Sequence, residues 1–271
     1  VGDVAVFVTT EDGVRLQAIP GRPGGVPLVL SNSLGTDTGL WRRQVDALAR
    51  SHSVWCYDTR GHGQSNVPAG DYSLDRLGKD LLAVIDATGA ERADICGISI
   101  GGLTALWAAL YAPHRVRRVI LANTAARIGN DSLWAERIRA ARTGGMRGLA
   151  EASMVRWFTE GFRAQHPDVV EGLRKTFEAT SVDGYVGCCA ALRDADLRPL
   201  AARVACPTLV VTGRHDPSTP PADGQWLGDQ IRGARVVDLD AAHLSNVERA
   251  EDFNAAVRDF ITGDDDRITY G

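Results

Sequence analysis

The sequence predicts an α/β protein, with a mostly parallel central sheet, helices on both faces and an inserted helical segment. Three observations predict it. Short apolar runs alternate with segments of helical periodicity through the first 123 residues. The alternation stops at Asn123 and resumes at Pro207. A Gly-x-Ser-x-Gly turn, Gly97 to Gly101, joins one predicted strand to the helix after it. The organisation that follows is a core of residues 1–123 and 200–271, interrupted by a helical insertion at 124–199.

The elements follow in order. VAVFVT (4–9) and VRLQAI (14–19) flank Glu11-Asp12-Gly13, and Asp-Gly between β-rich runs signals a hairpin. PLVLS (27–31) is apolar enough for a strand buried on both faces. A helix over 40–50 leads to the strand SVWCYD (53–58). A helix over 73–88 carries Leu74, Leu77, Leu81, Leu82 and Ile85 at helical spacing. ADICGI (93–98) runs into a helix from about Gly101 to Tyr111, and VRRVILAN (116–123) is the next strand. Beyond it, 124–199 reads as helical with no convincing core strand. PTLVVTG (207–213), a helix near 221–231 and ARVVDL (234–239) restore the alternation. A last amphipathic helix carries Ala250, Phe253, Val257 and Phe260, and the tail TGDDDRITYG reads as polar and loose.

Composition narrows the function classes. The 271 residues are 44% hydrophobic and carry a net charge of −4, with no long basic run, which argues against a nucleic-acid partner. No apolar stretch is long enough to span a bilayer. The N-terminus lacks the charged-then-apolar order of a signal peptide and begins with Val1, so the expectation is a trimmed end and a cytoplasmic protein. Five cysteines without metal-ligand spacing read as buried, reduced thiols, and no His-Glu-x-x-His occurs. GHGQSN (61–66) fails as a dinucleotide fingerprint and GISIGGLT (97–104) lacks the lysine of a phosphate loop. No metal or nucleotide cofactor is implied.

The chemistry concentrates at Ser99. A sharp strand-to-helix turn exposes its hydroxyl near a helix N-terminus, and glycines two positions to either side remove side chains that would clash. A serine needs a base, and the base needs an orienting carboxylate. His243 and Asp216 each follow a predicted strand in the order such sites require. His215 competes as base, His114 and His166 fit surface or insertion positions, and Asp194, Asp196 and Asp240 are alternative acids. The oxyanion requires two backbone N–H groups. Ile100, after the nucleophile, supplies one; Leu34, in the loop SNSLGT after an earlier strand, is the candidate for the other.

YDTRGHGQS (57–65), GISIGG (97–102), GRHDPSTP (213–220) and AAHLSNVE (241–248) resemble the α/β-hydrolase superfamily, over nearly the whole chain. A narrower likeness, carried by LSNSLGTD (30–37), NTAARIG (123–129) and RDADLRP (193–199), is to 3-oxoadipate enol-lactone hydrolases. Asn32-Ser33, where most of the superfamily has His-Gly, belongs to that narrower pattern. The resemblance implies Ser99 as nucleophile, Asp216 as acid, His243 as base and a small lactone bearing a carboxylate as substrate. General carboxylesterases and hydrolases of carbon–carbon bonds use the same triad, and a ligand receptor on this scaffold is a third reading. A carboxylate-bearing substrate calls for a cation, with Arg127 and Arg137 as candidates and Trp134 as an apolar wall. Some relatives continue into a carboxymuconolactone decarboxylase domain; the expectation here is the hydrolase part alone, with the acidic tail as a candidate junction.

Overall fold

The structure is a computed structural model that describes residues 4–263. The expected loose tail falls largely on residues 264–271, which lie outside the described residues, as do residues 1–3.

Eight strands form one sheet in the order β1-β2-β4-β3-β5-β6-β7-β8. They are β1 (Val6–Thr9), β2 (Arg15–Ile19), β3 (Pro27–Ser31), β4 (Ser53–Tyr57), β5 (Ala93–Ile98), β6 (Val116–Ala122), β7 (Thr208–Gly213) and β8 (Arg235–Leu239). β1 and β2 form the expected hairpin around Gly13, β2 runs antiparallel to β4, and every later pairing is parallel. β3 and β5 are buried at every residue, as strands covered on both faces must be.

The helices explain that burial. α1 (Arg42–Leu48) follows a 3-10 turn at Thr38–Trp41 and packs with the last helix, α10 (Ala250–Thr262), on one face. α2 (Leu74–Ala87) and α3 (Ile100–Tyr111) pack together on the other. The Ser73 hydroxyl caps α2 by accepting the Arg76 N–H at 3.1 Å. Leu74, Leu77, Leu81, Val84 and Ile85 then face the core, each fully buried side chain stabilising by about 1.5–3 kcal/mol.

The predicted helix at 40–50 starts as a 3-10 turn because the Asp37 carboxylate accepts the Gly39 N–H at 2.9 Å and tightens the entry. Between β6 and β7 lie α4 (Asp131–Trp157), α5 (Glu160–Gln165), α6 (Pro167–Ala179) and α7 (Val182–Asp194), with no strand. α4 breaks at Gly145, whose φ of 66° and ψ of −176° are not helical. After β7 come α8 (Pro221–Gln230) and, between β8 and α10, the short α9 (Ser245–Glu248), which the sequence reading did not separate. Among the described residues all five cysteines are free thiols, four of them buried, and no helix is long and apolar enough to cross a membrane.

Strand order locates the crevice. β3 lies between β4 and β5, so the chain leaves β3 to one side, returns across it and enters β5 on the other. Loops leaving the C-terminal ends of such neighbours diverge and open a cleft between them. Ser31, the last residue of β3, pairs with Gly97, two residues before Ser99.

Candidate active site

Ser99 is the single residue between β5 and α3. One residue must reverse the strand into the helix, and it does so at φ 59° and ψ −121°. An L-residue in such a conformation costs about 1–3 kcal/mol and persists only where its surroundings hold it. Its N–H donates to the Ala122 carbonyl at 3.0 Å, and its carbonyl accepts the Thr124 hydroxyl at 2.7 Å. The flanking glycines are sterically required. A Cβ on Gly97 would lie 2.1 Å from the Gly101 oxygen, and one on Gly101 would lie 2.2 Å from the Ser31 oxygen.

The acid and base candidates meet beside it. His243 Nδ1 lies 2.8 Å from Asp216 Oδ2, with both side chains buried. That bond places the ring proton on Nδ1 and leaves Nε2 as the basic nitrogen. Asp216 is saturated with donors: Asn123 Nδ2 at 3.0 Å, the Thr219 hydroxyl at 2.8 Å, and the Ser218 and Thr219 N–H groups at 2.8 and 3.1 Å. Burial pushes its carboxyl up, but the His243 charge and these hydrogen bonds outweigh burial and hold it below the ordinary aspartate value. Asn123, directly after β6, sits in the left-handed region at φ 41°, a conformation Asn tolerates, and its Oδ1 accepts the Ser245 hydroxyl at 2.5 Å. The His243 loop is pinned where the Ala242 N–H meets Glu248 at 2.9 Å and the Leu244 N–H meets the Trp157 carbonyl of α4 at 3.0 Å.

The rival residues lie elsewhere. His215 pairs with Asp240 at 2.9 Å on the surface, both exposed. His114 is exposed in a 3-10 turn and His166 is exposed between α5 and α6. Asp194 and Asp196 pair with Arg193 and Arg198 at the surface.

The loop after β3 is fixed by its peptide planes. Asn32 is buried; its Nδ2 donates to the Tyr57 carbonyl at 2.9 Å and its Oδ1 accepts Trp41 Nε1 at 2.8 Å. The Ser33 carbonyl accepts both the N–H and the hydroxyl of Thr36, at 3.2 and 2.8 Å. In a planar trans peptide the C=O and N–H point opposite ways, so this bond also sets the direction of the Leu34 N–H. Gly35 follows at φ 80°, and a Cβ there would lie 2.5 Å from the ring of buried Phe177. Ile100 N–H, the first in α3, has no intrahelical acceptor.

Ser99, His243, Ser33 and Leu34 line a cavity of about 350 Å³. Ile100 is buried behind Ser99 and does not border it, so its contribution is confined to its backbone. Both halves of broken α4 face the cavity: Trp134, Glu136 and Arg137 from the first, Ser153, Arg156 and Trp157 from the second. Arg137 Nη1 donates to the Tyr185 hydroxyl at 3.3 Å and its guanidinium lies 5.3 Å from the Trp134 ring centre. Arg156 donates to the Ser153 hydroxyl at 3.0 Å. Burial, then the like charge of Arg137, pulls the Arg156 guanidinium down to about 10. Among the described residues neither arginine forms an ion pair with a carboxylate, which leaves two cations facing a cavity of mixed polar and apolar lining.

One expectation is corrected. Arg127 does not line the cavity; it pairs with Asp131 at 2.8 Å and Asp196 at 3.7 Å, because the chain turns it outward before α4 begins. Sequence reasoning also missed Arg156, which reaches the site only because α4 folds back at Gly145. The adjacent pair Gly144-Gly145 was the available signal. Asn123 was read as the end of a strand, with no sign that its side chain turns to Asp216.

A family model described as the alpha/beta hydrolase fold matches residues 26–250. The chain is 42% identical to 3-oxoadipate enol-lactonase 2 of Acinetobacter baylyi over 92% of its own length and 94% of that protein. The crystal structure of the enol-lactonase from Burkholderia xenovorans LB400 superposes with a TM-score of 0.93 at 43% identity, covering 95% of this chain and all of that one. A thermophilic esterase from Thermogutta terrifontis, solved with malate bound, matches with a TM-score of 0.89 at 26% identity, over 95% and 98% of the two chains.

Proposed function

The chain belongs to the alpha/beta hydrolase fold family, and on that footing we propose that it opens 3-oxoadipate enol-lactone to 3-oxoadipate through an acyl-serine intermediate. The observation that carries the reading is the cavity itself. It joins Ser99 and His243 to two arginines that form no ion pair among the described residues, and it belongs to a chain 42% identical to an enol-lactonase.

In this reading His243 Nε2 takes the Ser99 proton as Oγ attacks the lactone carbonyl. The oxyanion rests on the N–H groups of Leu34 and Ile100, each such donor contributing about 2.7–4 kcal/mol. Collapse breaks the acyl carbon–oxygen bond, and the departing enol oxygen takes the proton back from His243. The enol becomes the ketone while still tethered to Ser99, because a lactone's leaving group remains part of the acyl chain. Water, losing its proton to His243, then releases 3-oxoadipate and restores the Ser99 hydroxyl. Asp216 holds the imidazole in its Nδ1–H form and stabilises its cation. The free carboxylate of the substrate meets Arg137 and Arg156, with Trp134 as the wall beside Arg137, and residues 124–199 act as the cap that carries them. The reading takes the substrate as a small molecule, the enzyme as independent of metal or nucleotide, and its place as the cytoplasm.

A panel of the enol-lactone, a neutral p-nitrophenyl ester and a vinylogous diketone tests it. The highest kcat/KM is expected on the lactone. A higher value on the neutral ester would leave a general carboxylesterase, and one on the diketone a carbon–carbon bond hydrolase.

A further inference from the structure

The segment YDTRGHGQ (57–64) runs on from the last residue of β4 and binds no nucleotide in the reading above, yet Tyr57, Asp58 and His62 are buried and each bonds the loop after β3. β3 and β4 are parallel neighbours, so this segment and the loop after β3 leave the sheet side by side. Four contacts join them. Ser31 Oγ lies 2.9 Å from the Tyr57 hydroxyl, and Asn32 donates to the Tyr57 carbonyl. The Asp58 carboxylate accepts the Thr38 N–H at 2.8 Å, and His62 Nε2 accepts the Gly35 N–H at 3.0 Å. The first two and the third hold the ends of the loop. The His62 bond alone from this segment reaches its middle.

We propose that His62 is a positioning residue for the oxyanion pocket: by accepting the Gly35 N–H it fixes the Leu34–Gly35 peptide plane and, together with the Thr36 bond to the Ser33 carbonyl on the other side, holds Leu34 and its N–H in place. Leu34 lies between two planes. Thr36 fixes the one before it through the Ser33 carbonyl, and His62 fixes the one after it. With both fixed, Leu34 has no freedom to rotate its N–H away from the cavity. His62 suits the task because Nδ1 lies 3.3 Å from the Arg60 carbonyl, to which it donates, and Nε2 is thereby the acceptor. Burial, opposed only by that carbonyl, pulls the imidazole down to about 4, so at neutral pH it is the uncharged acceptor that Gly35 requires. The proposal rests on the serine-hydrolase reading and extends it to a residue that does not border the cavity.

The test uses the full chain with p-nitrophenyl acetate, a boronic acid that forms a tetrahedral adduct on the serine, and 3-oxoadipate as a ground-state ligand. His62→Leu removes the acceptor at similar volume. His62→Gln offers one acceptor and one donor, as the neutral imidazole does. His62→Leu is expected to lower kcat by about 10–100-fold, since a shift of about 1 Å in a catalytic group costs up to ~10²-fold. Boronate affinity should fall in parallel, while KM and 3-oxoadipate affinity change by less than about threefold. His62→Gln should recover most of the loss. Unchanged kcat and boronate affinity in His62→Leu, or an equal loss of boronate and 3-oxoadipate affinity, overturns the proposal. If His62→Leu does not fold, His62→Gln decides: kcat within about fivefold of wild type supports the proposal, and a larger loss in a folded protein overturns it. A wild-type chain inert towards both the ester and the lactone would instead remove the hydrolase reading on which the proposal rests.

Discussion

Gly101→Ala probes the contact on which the site's geometry depends. The new Cβ would lie 2.2 Å from the Ser31 oxygen, 2.5 Å from its carbonyl carbon and 2.7 Å from the Asn32 oxygen. All three are backbone atoms, so no rotamer change relieves the overlap. Ordinary contact needs about 3.5 Å, so the end of β3 and the elbow must part by roughly 1 Å. Overpacking of this kind costs about 1–3 kcal/mol, offset in part by the better helix propensity of alanine. At about 2–4 °C per kcal/mol for a chain near this size, Tm should fall by roughly 2–10 °C. The same 1 Å separates the Leu34 N–H from Ser99, and kcat should fall by up to about 10²-fold. Differential scanning fluorimetry and steady-state ester hydrolysis read the two effects. Gly148→Ala is the matched control: it lies exposed in α4 with nothing within 4 Å of the new Cβ, and should gain about 0.5–1 kcal/mol with unchanged kcat. Wild-type Tm and kcat in Gly101→Ala would refute the argument that this close approach sets the geometry.

Arg137→Ala and Arg156→Ala should each raise KM for the carboxylate-bearing lactone by about 10–100-fold, as a hydrogen bond to a charged group is worth about 1.5–3 kcal/mol. KM for a neutral ester should stay within about twofold, and unchanged lactone KM in both variants would remove the anion site. Asp216 sits below its ordinary value in the fold, so the unfolded chain binds its proton more tightly and stability is gained above the unfolded value. The Tm advantage of wild type over Asp216→Asn should therefore be full near pH 6 and shrink as pH falls through the depressed folded value; an advantage constant down to pH 3 would contradict this.

The strand-helix alternation was legible because each element writes a period into its own residues. The Asp-Gly hairpin, the two-sided burial of PLVLS and the apolar face of the helix after Ser73 all fall where the pattern placed them. Ser99 was legible because an elbow needs its glycines nearby in sequence. Asp216 and His243 were legible through strand order, which brings distant loops to one edge of the sheet. What stayed hidden depends on contacts across the chain. Arg127 and Arg156 are both arginines of the helical insertion; the ion pairs of Arg127 with Asp131 and Asp196 hold it off the cavity, and the break at Gly145 brings the half of α4 that carries Arg156 to it. Asn123 and His62 act through hydrogen bonds to Asp216 and Gly35, 93 and 27 positions away. No local period encodes such bonds. Asn32-Ser33 was part of the resemblance read from the sequence, and the structure gives Asn32 a buried bracing role between Tyr57 and Trp41.

In the proposed mechanism Ser99 opens a lactone with help from His243 and Asp216. Turnover of 3-oxoadipate enol-lactone by the purified chain and by Ser99→Ala, followed by loss of lactone and release of 3-oxoadipate, tests it most directly. Rapid release by the wild type and none above background in a folded Ser99→Ala protein is the predicted result. Absence of turnover by the wild type, or near-wild-type turnover by Ser99→Ala, would contradict it.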